Sequence, residues 1–216
     1  MKILITAGPT REALDPVRYI SNRSSGKMGY SIAEAALARD HEVVLISGPV
    51  ALTAPKGAQT ITVISAEEMF AAVEKQIGEG IDAAVFCAAV ADYRPVNATD
   101  QKIKKDGAYQ LTLTLEKTED ILGSTRDKMR YEGLLVGFAA ETHDLEKHAR
   151  AKLASKKCDL LVANQVGKPD TGFDVEDNEL QLFFSDGHTE TLERQSKTIL
   201  GEKLIEIIEK LNDAGS

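Results

Sequence analysis

Short, wholly apolar segments alternate with segments of helical periodicity along this chain, and that order constrains its fold more than any other property. Lys2 to Ala7 reads as a buried strand stopped by Gly8-Pro9. After Gly26, the residues Met28, Ile32, Ala35, Ala36 and Leu37 recur at helical spacing through Arg39, and His41 to Ser47 forms a second buried strand. Strands follow at Thr60 to Ser65, Ile81 to Val90, Leu134 to Ala140 and Asp159 to Val166. Helices fall at Ala66 to Ile77, Glu119 to Arg130, Leu145 to Lys157 and Ser196 to Leu211. Strands separated by helices need crossover connections, and strands buried on both faces read as continuous apolar runs. The class is α/β: a single Rossmann-like, doubly wound, mostly parallel sheet with helices on both faces.

Three segments depart from this rhythm. Tyr109 to Glu116 alternates with period two, placing Leu111, Leu113 and Leu115 on one side and Thr112 and Thr114 on the other, as expected of a strand with one wet or partner-facing side. Glu179 to Phe184, Asp186-Gly187 and Thr189 to Leu192 form a hairpin with a glycine turn. Both are antiparallel additions. Gln101 to Gly107 is a polar stretch carrying Lys102, Lys104 and Lys105, and reads as a flexible lysine-containing flap or as a solvated charge run. Length favours one domain, 1–212, with 213–216 as a tail.

Charge and composition exclude several classes. With 26 basic and 34 acidic residues the formal charge is −8, a field that repels a phosphate backbone, so nucleic acid is not an expected partner. The longest apolar run, Ala83 to Ala91, is far short of the roughly 20 residues a bilayer span needs. No signal-peptide pattern precedes Gly8, and a cytoplasmic location is the expectation. The cysteines, Cys87 and Cys158, lie inside apolar runs without metal-knuckle spacing, and His41, His143, His148 and His188 form no recognised zinc motif. Neither a disulfide nor a zinc site is expected.

In an open parallel sheet, ligands bind beyond the carboxyl ends of the strands. The segment from Gly8 to Gly29 is much longer than the roughly 4 to 6 residues of an ordinary connection. It ends in Ser24-Ser25-Gly26-Lys27-Met28-Gly29, where a helix N-terminus makes an anion seat and Gly26 and Gly29 permit close approach. A simple serine cap is the competing reading. Ser21 and Met28 occupy positions where a Walker loop needs Gly and Ser or Thr, and no acidic residue follows Leu45-Ile46-Ser47-Gly48 to hold a dinucleotide ribose. Asp92, just past an apolar strand, could ligate magnesium, bind a sugar hydroxyl or cap a turn. Phe138 suits a core or a stacking platform. Lys152 and Lys156, four apart, share a helix face pointing at a phosphate or at solvent.

Taken together, five ordered blocks resemble the phosphopantothenate-cysteine ligases of coenzyme A biosynthesis. They are Gly8-Pro9-Thr10-Arg11-Glu12 with Asp15-Pro16-Val17-Arg18; Ser21-Asn22 with Ser24 to Gly29; Ala88-Ala89-Val90-Ala91-Asp92; Lys102-Ile103-Lys104-Lys105; and Gly137-Phe138-Ala139-Ala140-Glu141-Thr142. In many bacteria this domain is fused to a flavin-dependent decarboxylase. Thr118-Glu119-Asp120-Ile121 stands where the family commonly has Asn-Pro-Asp-Ile.

The resemblance implies a two-step amide ligation. 4′-Phosphopantothenate attacks the α-phosphate of CTP (ATP being the alternative), giving an acyl-cytidylate and pyrophosphate, and L-cysteine then displaces CMP. It also implies magnesium and a homodimer. Carried over by position, catalytic roles fall on Asn22 and Lys102 and substrate contacts on Asn22 and Arg23. Nucleotide contacts fall on Gly8, Ser24, Gly26, Gly29, Phe86, Cys87, Ala88, Asp92 and Lys102, on Glu119, Asp120, Ile121 and Leu122, and on Phe138, Lys152, Lys156 and Asn164. A non-catalytic nucleotide sensor and an NAD-binding reductase are the alternative classes; Asn22 and Lys102 oppose the first and the absent acidic ribose ligand the second.

Overall fold

A computed structural model describes residues 1–104, 110–167 and 177–215. In chain order the elements are β1 (Lys2–Ala7), β2 (Arg11–Ala13), β3 (Tyr19–Ser21), α1 (Lys27–Ala38), β4 (Glu42–Ser47), β5 (Gln59–Thr62), α2 (Ala66–Ile77), β6 (Ala83–Phe86), β7 (Tyr93–Pro95), β8 (Leu115–Lys117), α3 (Ile121–Asp127), β9 (Leu134–Glu141), α4 (Leu145–Lys156), β10 (Leu160–Gln165), β11 (Asp177–Phe184), β12 (Thr189–Ser196) and α5 (Lys197–Gly215). An eight-stranded sheet has the order β12-β11-β10-β9-β6-β1-β4-β5. The strands from β5 to β10 pair in parallel, and β11 and β12 add antiparallel at one edge.

The apolar runs explain the sheet's burial. Along β1, Ile3, Ile5 and Ala7 face a core shared with α1 and α5, while Leu4 faces a second core built with α2, α3 and α4. Successive side chains of one strand therefore bury in opposite layers, which is why no polar alternation marks these strands. The chain adds β4 and β5 on one side of β1, then β6, β9 and β10 on the other. The order reverses between β1 and β6, the switch point at which such sheets open a crevice.

Several boundaries differ from the expectation. The strand read as Ile81 to Val90 ends at Phe86, because the next residues leave the ladder to follow the end of β1: Cys87 N donates to Thr6 O (3.2 Å) and Ala89 N to Gly8 O (2.9 Å). The helix read from Glu119 starts at Ile121, where Asp120 caps it by accepting from Gly123 N at 2.9 Å. Ser65, read as the end of a strand, instead caps α2 by accepting from Glu68 N at 3.1 Å. The expected tail from Asp213 continues α5 through Gly215.

The Gly8 to Gly29 loop contains an unanticipated hairpin, β2 paired with β3. Glu12 on this hairpin is buried and accepts from Ala66 N at 2.9 Å, fixing the hairpin to the start of α2. The period-two segment near residue 110 also departs from expectation. Only Leu115–Lys117 is strand, paired with β7, and the 110–114 stretch forms no ladder. Its leucine face is left open by the described residues, Leu111, Leu113 and Leu115 being 58%, 41% and 41% exposed. Tyr109 and Lys105 to Gly107 of the flap lie outside the described residues.

Candidate functional site

The switch-point crevice is a cleft of about 860 Å³ at the carboxyl ends of the parallel strands. That size suits a ligand of nucleotide dimensions. Its floor begins at β1. Thr6 Oγ1 accepts from Ala88 N at 3.2 Å, so the segment after β6 is laid against the end of β1. Above this floor stands the first turn of α1. A Cβ on Gly29 would lie 2.6 Å from the Cβ of Ala7, so only glycine lets the helix approach the strand this closely.

The N-cap of α1 is Gly26 in the left-handed region (φ 77°), with no side-chain capping bond among the described residues, and Ser24 Oγ accepts from Gly26 N at 3.4 Å. The serine-cap reading is thus replaced by a glycine turn that directs the helix N-terminus at the cleft, an arrangement suited to an anion. Gly8 lies behind this turn: its Cα would be 3.4 Å from a Gly26 Cβ, and it does not line the cleft.

Asn22, at the exit of β3, donates through Nδ2 to the main-chain oxygens of Val90 (2.9 Å) and Ala89 (3.3 Å). Its amide therefore joins the long loop to the segment after β6, at the mouth of the cleft beside Arg23. Phe86, Cys87 and Ala88 form the adjoining wall, with Asp92 at its rim. Burial pushes the Cys87 thiol up to about 12, and the same cause brings Cys158 to about 12, so neither supplies a thiolate at neutral pH.

The opposite wall comes from α3, β9, α4 and β10. Glu119, Asp120, Ile121 and Leu122 line it, together with Phe138 from β9 and Asn164 from the end of β10. Lys152 Nζ donates to Phe138 O at 2.8 Å, and burial lowers its pKa, with Glu141 opposing the shift. Lys156 is ion-paired with Asp120. Burial raises the Asp120 carboxyl, but the Lys156 and Gly123 hydrogen bonds outweigh it and the net shift is downward. Asp120 thereby links the α3 N-terminus to a lysine of α4.

The cleft gathers Arg23, Lys27, Lys117, Lys152, Lys156 and Lys197 against Asp92, Glu119 and Asp120. A cationic cleft in a chain of formal charge −8 selects an anionic ligand. Lys197, Lys117, Thr118, Met69 and Asn178 were not anticipated. Lys197 is buried, 5% exposed, in the first turn of α5, where a cation opposes the helix dipole. That mismatch was the signal available in the sequence.

Lys102 is not brought into this cleft. It is exposed, and the adjacent Ile103 is held away from the lining by the β2–β3 hairpin. Ile103 N donates to Asp15 Oδ2 (3.0 Å), and Arg18 Nη2 donates to Ile103 O (2.8 Å). The Asp15 carboxylate is buried and paired with Arg18, which holds its pKa well below the usual carboxylate range. The start of the flap is thus tied to the connection between β2 and β3, while β3 leads into Asn22.

A doubly wound α/β protein with a cationic ligand cleft at its switch point is the class these features define. The chain belongs to the family described as DNA/pantothenate metabolism flavoprotein C-terminal domain, which matches residues 1–211, the same family to which the motif resemblance pointed. It is 48% identical over 210 residues to the coenzyme A biosynthesis bifunctional protein CoaBC of Vibrio vulnificus, covering 97% of this chain and 52% of that protein. Against CoaBC of Bacillus subtilis it is 47% identical over 212 residues, covering 97% and 51%. The chain spans about half the length of these relatives. The crystal structure of the C-terminal domain of a CoaBC protein matches with a TM-score of 0.80 at 40% identity, covering 98% of this chain and 96% of that one. A Cab2 variant solved in complex with phosphopantothenate-cysteine shares the fold at 17% identity, with a TM-score of 0.77 and coverage of 99% and 86%.

Proposed function

We propose that this chain catalyses the joining of 4′-phosphopantothenate to L-cysteine, with CTP as the activating nucleotide. The observation that carries this reading is the convergence of Asn22, the Gly26 turn, Phe138, Lys152, Lys156 and Asn164, distant in sequence, on one cationic cleft. Family membership supports the ligase reading, and the neutral thiols support a route without a covalent enzyme nucleophile. A carboxylate oxygen of phosphopantothenate attacks the α-phosphorus of CTP, expelling pyrophosphate. The cysteine amine then attacks the acyl carbon, the acyl–oxygen bond breaks, and CMP leaves with its phosphate as the amide forms.

The α1 N-terminus and Lys152 hold negative charge in the cleft, and Phe138 offers a surface for the base. Asn22 positions the acyl group for the amine, its own orientation fixed by the carbonyls of Ala89 and Val90. Lys102, exposed and outside the cleft lining, is assigned to the phosphates on the family resemblance. Arg23 at the mouth suits the substrate's phosphate.

Magnesium takes oxygen ligands and typically combines one or two carboxylates with substrate phosphates. Asp92 fits, being an exposed carboxylate on the cleft, whereas Asp120 is committed to Lys156 and Glu119 is paired with Lys128 at 2.7 Å. Asp92 would hold magnesium there together with the triphosphate, and the ion would supply charge neutralisation for the departing pyrophosphate. The uncovered leucines 111, 113 and 115 support a homodimer in which a second copy covers them.

Incubation with CTP, magnesium, phosphopantothenate and cysteine tests the proposal. Stoichiometric pyrophosphate, CMP and phosphopantothenoylcysteine are expected. Nucleotide binding without pyrophosphate release would instead assign a sensor, and a parallel reaction with ATP decides the nucleotide.

A further inference from the structure

Just outside the cleft, between the end of β9 and the first turn of α4, His143, Asp144 and His148 each offer a ligand atom, and these atoms all lie within 4.8 Å of one another. None of the three lines the cleft. We propose that they form a binding site for one divalent transition metal of the zinc class.

The donor set comes first. Two imidazoles and a carboxylate match the nitrogen and oxygen ligands of zinc, cobalt and nickel, whereas magnesium prefers oxygen alone. Three protein ligands leave a further position for water. The backbone then places them together: Asp144 and His148 are four residues apart across the first turn of α4, on one face, and His143 precedes them. Asp144 is the N-cap residue, yet its side chain makes no capping bond to the helix (φ 47°). An aspartate that occupies this position without capping has its carboxylate directed elsewhere, and here it converges on the two rings.

Both rings are also oriented from behind. His148 Nδ1 is 3.1 Å from Glu141 Oε2, and His143 Nδ1 is 2.9 Å from Thr142 Oγ1. With Nδ1–H donated to these oxygens, Nε2 of each ring carries the lone pair for a metal. A carboxylate behind a ligating histidine fixes its tautomer and raises its basicity. The rings stand edge to face, centroids 5.2 Å apart at 82°, with no stacking to hold their metal-binding edges apart. Binding would fasten the end of β9 to α4, one turn before Lys152.

The test is calorimetric titration of the full chain, free of any polyhistidine tag, with zinc chloride. One zinc per chain is expected, undisturbed by excess magnesium, and cobalt in place of zinc should give a visible ligand-field spectrum. The His143→Asn/His148→Asn double variant should lose this binding while its circular dichroism is unchanged. Glu141→Gln should keep the stoichiometry and bind about 10- to 100-fold more weakly. Absence of a zinc isotherm, displacement by magnesium, or zinc binding that persists in the double variant would overturn the proposal.

Discussion

Lys152 Nζ donates to the main-chain oxygen of Phe138 at 2.8 Å, tying α4 to β9 inside the cleft. Burial lowers the pKa of this ammonium, so an arriving phosphate both gains a cation and stabilises that cation's charge. Lys152→Gln keeps a donor for the Phe138 carbonyl and removes the charge. A hydrogen bond to a charged group contributes about 1.5–3 kcal/mol, or roughly 10- to 100-fold in affinity. Nucleotide KM should rise by about that factor while the melting temperature stays within a few degrees of wild type. Steady-state kinetics with CTP varied, beside a thermal melt, provides the check; an unchanged KM removes Lys152 from the site.

Gly29 tests how closely α1 must sit to the end of β1. In Gly29→Ala the new methyl would lie 2.6 Å from Ala7 Cβ and 3.3 Å from Thr6 O. The first turn of α1 must then move away from the cleft floor. Overpacking of this kind costs about 1–3 kcal/mol, which lowers the melting temperature by roughly 2–4 °C per kcal/mol at this chain length. Nucleotide affinity should fall as well, because the helix N-terminus moves with the turn. A melt and a nucleotide titration on the same sample measure both. Normal affinity despite lowered stability would separate the turn from binding.

The doubly wound sheet was legible because strands such as Ile3–Ala7 and Val43–Ser47 bury both faces and leave continuous apolar runs. Helix α2 matches its expected bounds, since Ser65 and two early glutamates mark its start. The β2–β3 hairpin was not legible. Its strands are three residues each, and its anchor is Glu12 bonded to Ala66 N, 54 positions away. Motif resemblance collected most of the cleft lining, but it could not place Lys102. That position depends on Ile103 meeting Asp15 and Arg18, a tertiary contact without a local pattern. Lys197 escaped for a related reason: α5 closes the fold, and only its packing carries that lysine back to a cleft begun by β1.

The Asp15 clamp makes the flap's attachment sensitive to acid. In the folded chain Arg18, followed by the main-chain donors of Val17, Ile103 and Arg18, outweighs burial and depresses the carboxyl pKa well below its ordinary 3.8. A carboxyl depressed on folding contributes stability that is fully present above its unfolded value and is lost as pH falls through the folded one. The stability difference between wild type and Asp15→Asn should therefore be level from neutral pH to about 5 and shrink below about 4. Denaturant melts across that range provide the measurement. At neutral pH the variant should lose turnover more than nucleotide affinity, because Ile103 loses its acceptor while the cleft keeps its own residues. A difference that grows toward low pH would contradict the assigned sign.

Asn22 separates the two chemical steps. Its Nδ2 donates to the carbonyls of Ala89 and Val90, so Asn22→Asp sets a carboxylate against two acceptor oxygens. The site is exposed, which limits the penalty to about 1 kcal/mol and the fall in melting temperature to roughly 2–4 °C. Positioning suffers more, since the acyl-holding amide is gone and the 22–23 segment turns away from the loop after β6. Activation should persist, because the α1 turn, Lys152 and Lys156 are untouched, while amide formation should fall by about 100-fold, a typical effect of losing geometric alignment. Quenched-flow analysis of the variant with CTP and phosphopantothenate should show pyrophosphate released and acyl-cytidylate accumulating after cysteine is added. Equal losses in pyrophosphate release and amide formation would move Asn22 to the first step, and normal product formation would remove it from both.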